Sequence, residues 1–161
     1  MIYKKMMALI GGAGVCFACD QWLKMWMEKF LFMKGRYPVT SFLTLVYAWN
    51  PGISFGLFPC YSSSSRYFLV AMSMAFTGVL VIWYAKATTL WQESALVLII
   101  GGALGNAMDR FKLGAVFDFI SIHWHEWDFP AFNLADMLIT IGFLALMREH
   151  FQWKALVSTK K

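Results

Sequence analysis

Charge is scarce in this chain. Of 161 residues only 14% are Asp, Glu, Lys or Arg, and there are just three Cys, three His and four Pro. An ordinary soluble domain carries roughly 25% charged residues, so the class of charge-coated soluble domains is excluded. Three cysteines support no disulfide framework, because Cys16 and Cys19 share one apolar run and Cys60 stands alone near a loop. Cys16-x-x-Cys19 reads as two small buried residues, not as a metal or redox pair. Internal repeats are absent, as are low-complexity tracts beyond the serines at 62–65, which read as a linker. The length suits one domain, 1–161, and leaves no room for a second catalytic one.

What is abundant is apolar: 60% hydrophobic residues, 18% aromatic residues and a mean hydropathy of +0.57. This is the composition of an integral membrane protein. A helical span needs roughly 20 apolar residues, and four such runs are visible, at about 6–27, 67–84, 95–117 and 133–151. The last is clearly apolar only to Met147, too short for a hydrocarbon core of ~30 Å, so it extends toward Phe151 or Trp153 or thins the bilayer. Residues 30–65 have no helical period. There Phe42 to Trp49 is rich in β-branched and aromatic residues, Asn50-Pro51-Gly52 supplies a turn, and Ile53 to Phe58 resumes an extended pattern. The expected fold is an all-α membrane protein of four transmembrane helices with a small extracytoplasmic β-element between helices 1 and 2. The loop 120–132 returns to the same side.

Lys4-Lys5 before an apolar stretch imitates a signal peptide, but the run continues through Trp22, Trp26 and Met27, so it is read as an uncleaved first span. Basic residues divide evenly between the two sides, with Lys24 and Arg110 within or against the membrane; this favours cytoplasmic termini. The net charge of +5 suits anionic headgroups; no basic stripe interleaved with exposed aromatics suggests nucleic acid.

Ionisable residues at membrane depth are functional candidates by default. Asp20 and Lys24, spaced i,i+4, read as a structural ion pair. Asp109 and Arg110 point about 100° apart on a helix and need separate partners; Arg110, with its rigid fork, suits a backbone carbonyl or a headgroup. Gly101, Gly102 and Gly105 allow close helix packing. Asn133 can cap the fourth helix, with Asp136 at its third position, where the macrodipole welcomes a carboxylate. Asp118 reads as the C-terminal end of the third span, where the dipole disfavours it, and so as placed there for function. Two such carboxylates side by side would share a proton and activate a water between them, the chemistry of an aspartic protease. A proton-coupled transporter and a non-catalytic scaffold are the alternatives. The first is at odds with polar residues clustered toward one face, and the second leaves Asp118 unexplained.

Five ordered blocks carry a resemblance over about residues 15–145: Asp20-Gln21-x-x-Lys24, Asn50-Pro51-Gly52-x-Ser54-Phe55-Gly56, Gly105-Asn106-x-x-Asp109-Arg110, Val116-Phe117-Asp118-Phe119-Ile120, and Phe129-Pro130-x-Phe132-Asn133-x-Ala135-Asp136. Together they resemble the bacterial lipoprotein signal peptidase (signal peptidase II) family. The resemblance implies a monomeric inner-membrane aspartic peptidase, working without a cofactor near the outer face. It would cut diacylglyceryl-prolipoproteins just before the lipidated cysteine and be inhibited by globomycin-type cyclic peptides. It implies Asp118 and Asp136 as catalytic dyad, Asn50, Gly52, Asn106, Arg110 and Asn133 as groups that bind substrate or orient the dyad, and Asp20, Lys24 and Asp109 as their support. His123-x-His125 is outside the pattern and reads as an interfacial loop, not a metal site.

Overall fold

A computed structural model describes residues 2–52, 63–125 and 127–158, the side chains of 63 and 150–158 excepted. The elements run α1 (Ile2–Leu31), β1 (Arg36–Pro38), β2 (Leu43–Asn50), α2 (Ser63–Lys86), α3 (Leu90–Leu113), β3 (Val116–Trp124), β4 (Trp127–Asp128) and α4 (Leu134–Ser158). At 1.5 Å per residue even a 24-residue helix reaches about 36 Å, enough to cross a bilayer core. By hydropathy as well as length, two of the described helices qualify as spans, α1 and α2, with mean hydropathies of 1.3 and 2.0. The polarity of α3 is hidden, because it is the helix against which α1, α2 and α4 all pack, and its Asn106, Asp109 and Arg110 are buried among them.

The limits of α3 are set locally. The Thr89 side chain accepts from the Gln92 N–H at 3.1 Å at one end. Gly114 takes φ 85° at the other, its N–H closing on the Arg110 carbonyl at 3.1 Å. Close approach to the neighbours needs small residues. A Cβ on Gly102 would stand 2.5 Å from the Ala135 carbonyl oxygen, and one on Gly142 2.6 Å from that of Ala95. Toward the chain termini the bundle is clasped by a Lys5–Glu93 ion pair of 2.7 Å and by the Trp91 indole donating to the Ala145 carbonyl at 2.8 Å.

At the opposite end lies one antiparallel sheet in the order β1-β2-β3-β4. This corrects the expected architecture in one respect: the β-element is not drawn from residues 30–65 alone. Residues 116–128, expected to finish the third span and form a loop, supply two of its strands. Gly114 ends the helix three residues before Phe117, and Val116 to Phe119 are all buried, as in a strand covered on both faces. Leu31, Phe117 and Phe119, with Tyr47 and Trp49 packed against them, seat the sheet on the end of α1. The extended run expected at 53–58 lies outside the described residues.

Candidate active site

Two backbone devices bring the carboxylates together. Ile120 of β3 and Phe132 exchange a pair of N–H···O bonds, both 2.9 Å, which holds the start of α4 beside the strand bearing Asp118. The next residue, fully buried Asn133, caps α4 reciprocally with Asp136: the Asp136 N–H donates to Asn133 Oδ1 at 3.0 Å, and the Asn133 N–H donates to Asp136 Oδ2 at 3.1 Å.

Three amides then converge on the two carboxylates. Asn133 Nδ2 donates to Asp118 Oδ1 at 2.7 Å, Asn50 Nδ2 to Asp118 Oδ2 at 3.3 Å, and Asn106 Nδ2 to Asp136 Oδ1 at 2.8 Å. Asn50 reaches Asp118 because β2 pairs Ala48 with Asp118, past a bulge that shifts the register between Leu45 and Ala48. A cavity of ≈ 360 Å³ opens beside the pair, lined by Asn50, Asp118 and Asp136 together with apolar Phe129, Phe132 and Met137.

The reason given for Asp118 from the sequence does not hold, since the residue is on β3, beyond the end of α3, and opposes no helix dipole. Its environment distinguishes it in another way. Burial, and then the neighbouring Asp136 carboxylate, push its pKa from 3.8 up to about 7 against the opposing hydrogen bonds of Asn133 and Asn50.

Beneath the amides is a buried ionic cluster. Lys24 Nζ lies 2.9 Å from Asp20 Oδ2 and 2.8 Å from Asp109 Oδ2, and donates to Asn106 Oδ1 at 2.9 Å. Asp20 also receives the Ala135 N–H at 2.9 Å, tying α1 to the first turn of α4. Sequence reasoning gave Gln21 no role, yet its amide donates to Asp109 Oδ1 at 2.8 Å. Only its place on the same helical stretch as Asp20 and Lys24 hinted at this. Arg66, likewise unassigned, holds the last-turn carbonyls of α3, those of Arg110, at 2.7 Å, and Phe111.

Arg110 does hold a backbone carbonyl: Nη2 donates to the Gly52 oxygen at 2.7 Å and Nη1 to that of Asn106 at 3.3 Å. The Gly52 N–H in turn donates to Asn50 Oδ1 at 3.0 Å, so Arg110 fixes the turn that aims Asn50 at Asp118. Arg110→Lys keeps the charge but cannot span both carbonyls. A loss of about tenfold in kcat/KM is expected in steady-state assays, the size of one charged hydrogen bond; unchanged kinetics would reduce Arg110 to a mere charge.

The architecture is that of a bacterial membrane enzyme. Two structures of such enzymes solved by the in meso method superpose with TM-scores of 0.75 and 0.72, at 27% and 28% identity, covering 90% and 88% of this chain and 88% and 91% of theirs. Residues 12–152 match the signal peptidase (SPase) II family, and the chain belongs to that family of aspartic peptidases. Relatives include the lipoprotein signal peptidases of Anaplasma phagocytophilum (strain HZ), 41% identical over 88% of this chain and 92% of its own length, and of Rhodopseudomonas palustris (strain TIE-1), 40% identical over 85% and 87%.

Proposed function

We propose that this enzyme removes the signal peptide from diacylglyceryl-modified prolipoproteins, cutting on the N-terminal side of the lipidated cysteine, with Asp118 and Asp136 as its catalytic dyad. The observation that carries the reading is the pair of carboxylates, Asp118 buried and Asp136 half-buried, joined through Asn133 and open to one apolar-walled cavity. All four helices span the bacterial inner membrane in this reading, with termini in the cytoplasm and the sheet at the outer face. Asn50, Gly52, Asn106, Arg110 and Asn133 set the geometry of dyad and peptide, and Asp20, Lys24 and Asp109 support them. The protein acts as a monomer, and globomycin-type cyclic peptides occupy the same cavity.

Chemically, the pair works with one shared proton. Its ionised member takes a proton from water as the oxygen attacks the scissile carbonyl, while the protonated member donates to the carbonyl oxygen. The proton taken from water then passes to the amide nitrogen while the other carboxylate takes back a proton from one gem-diol hydroxyl, and the C–N bond breaks. The pair's proton is lost as pH rises past about 7, the value to which Asp118 is pushed. Activity therefore falls on the alkaline side of that pH. The Asn50 amide is one of the groups holding this value down, so Asn50→Ala moves the alkaline limb of kcat/KM upward, by about half a unit. A downward movement would contradict the assignment.

The direct test is conversion of a purified diacylglyceryl-prolipoprotein to signal peptide and mature lipoprotein by the enzyme in detergent, with a chelator present. Expected is cleavage of the lipidated substrate and little of its unlipidated form. No cleavage, or cleavage lost with the chelator, would overturn the reading.

A further inference from the structure

The direction of the Asn106 amide is set from one side by Lys24. Lys24 Nζ offers only donors, so the atom of Asn106 that faces it at 2.9 Å must be Oδ1. That leaves Asn106 Nδ2 turned to Asp136 Oδ1, which accepts at 2.8 Å. The same Asn106 oxygen accepts from Asn133 Nδ2 at 3.2 Å, and this amide nitrogen also serves Asp118 Oδ1, while Asn133 Oδ1 faces the Asp136 N–H. Reversing Asn106 would set an NH2 group against the ammonium and an oxygen against the carboxylate, two repulsions inside a buried site.

We propose that Lys24 is a positioning residue for the reaction: through Asn106 it orients two of the three site amides, those of Asn106 and Asn133, so that their N–H groups point at the two carboxylates and the ionised member of the pair is held in place. Electrostatic pairing with Asp20 and Asp109 holds the ammonium still, and Gln21 fixes Asp109 from its far side. The role lies beyond support of the fold, because the group that satisfies the third N–H is the amide whose other end serves Asp136. The inference rests on Asp118 and Asp136 being the catalytic pair. That reading would fail by activity surviving Asp→Asn changes, an outcome separate from those below.

The groups facing the pair are Asp20 and Lys24 from α1, Asp109 and Arg110 from α3, and each carboxylate from β3 or α4. The readout is the pH dependence of kcat with a lipidated prolipoprotein substrate. Asp109→Asn keeps an oxygen for Gln21 and neutralises one cluster charge, so Lys24→Met made in that background leaves one buried carboxylate, Asp20, without its ammonium instead of two. Relative to Asp109→Asn alone, the acid limb should rise by about one pH unit, KM should stay unchanged, and Lys24→Arg in the same background should restore the limb. With Asn106→Leu also present, Lys24→Met should move the limb no further. An equal further shift would mean that the ammonium acts on the carboxylates directly through space, and would overturn the relay. Asn106→Leu alone leaves the ion pairs intact and tests the relay even if Lys24 variants do not fold; it should raise the acid limb by itself, and an unmoved limb would end the proposal.

Discussion

Asp118→Asn and Asp136→Asn each remove cleavage of a diacylglyceryl-prolipoprotein, by at least about 10³-fold, the scale of general acid–base catalysis. An amide can neither accept water's proton nor supply the shared one, although its shape is nearly that of the carboxylate. The double variant should be no worse than either single, because the pair works as a unit. Stability moves the other way. The folded state binds the Asp118 proton more tightly than the unfolded chain does, since its pKa is raised from 3.8 to about 7. The wild type therefore loses stability as pH rises between those values, to a cost of about 4 kcal/mol above pH 7. Asp118→Asn escapes that cost but loses about 1 kcal/mol, since one amide cannot accept well from both Asn133 and Asn50. A net gain of about 3 kcal/mol is expected above pH 7 and none below pH 4, read from thermal unfolding in detergent. Residual activity near wild type in either single variant would dissolve the dyad, and a variant less stable at pH 8 than the wild type would refute the cost assigned to the buried charge.

The second large effect comes from a residue with no side chain. A Cβ on Gly105 would overlap Asp20 Oδ2, the oxygen that pairs with Lys24, with the Ala135 methyl close by on the other side. Gly→Ala in a helix normally stabilises by about 1 kcal/mol. Gly78→Ala should do so, since nothing lies within 4 Å of that position. Gly105→Ala should instead cost about 3 kcal/mol and most of the activity, because it parts a buried ion pair and disturbs the first turn of α4. Unfolding midpoints of the two variants should move in opposite directions; a stabilised Gly105→Ala would show that Asp20 can step aside freely.

Much of the site is legible in the sequence. Asn133 as cap, Asp136 at the third helical position and the Asp20–Lys24 pair follow from spacing alone, since helix geometry fixes which neighbours meet. The expected third span runs past the end of α3 because Leu113 to Phe117 carries no polar side chain. A buried strand and a helix tail look alike in that respect, and Gly114 was the only local signal. The hydrogen-bonding partners of Gln21 and Arg66 depend on which helix faces meet in the bundle, which no local pattern encodes. The direction of the Asn106 amide depends on groups from three helices at once.

The reciprocal cap of α4 gives the site a shared fate with its helix. The atoms that begin the helix are the atoms that hold Asp136, so fraying of that first turn and loss of the reactive geometry are a single event. Amide hydrogen exchange at Asp136, whose N–H is held by Asn133, thus becomes a clock for how often the resting enzyme disassembles its own centre. Any ligand that closes the cavity should slow that clock in proportion to its affinity, without having to touch the amide it protects.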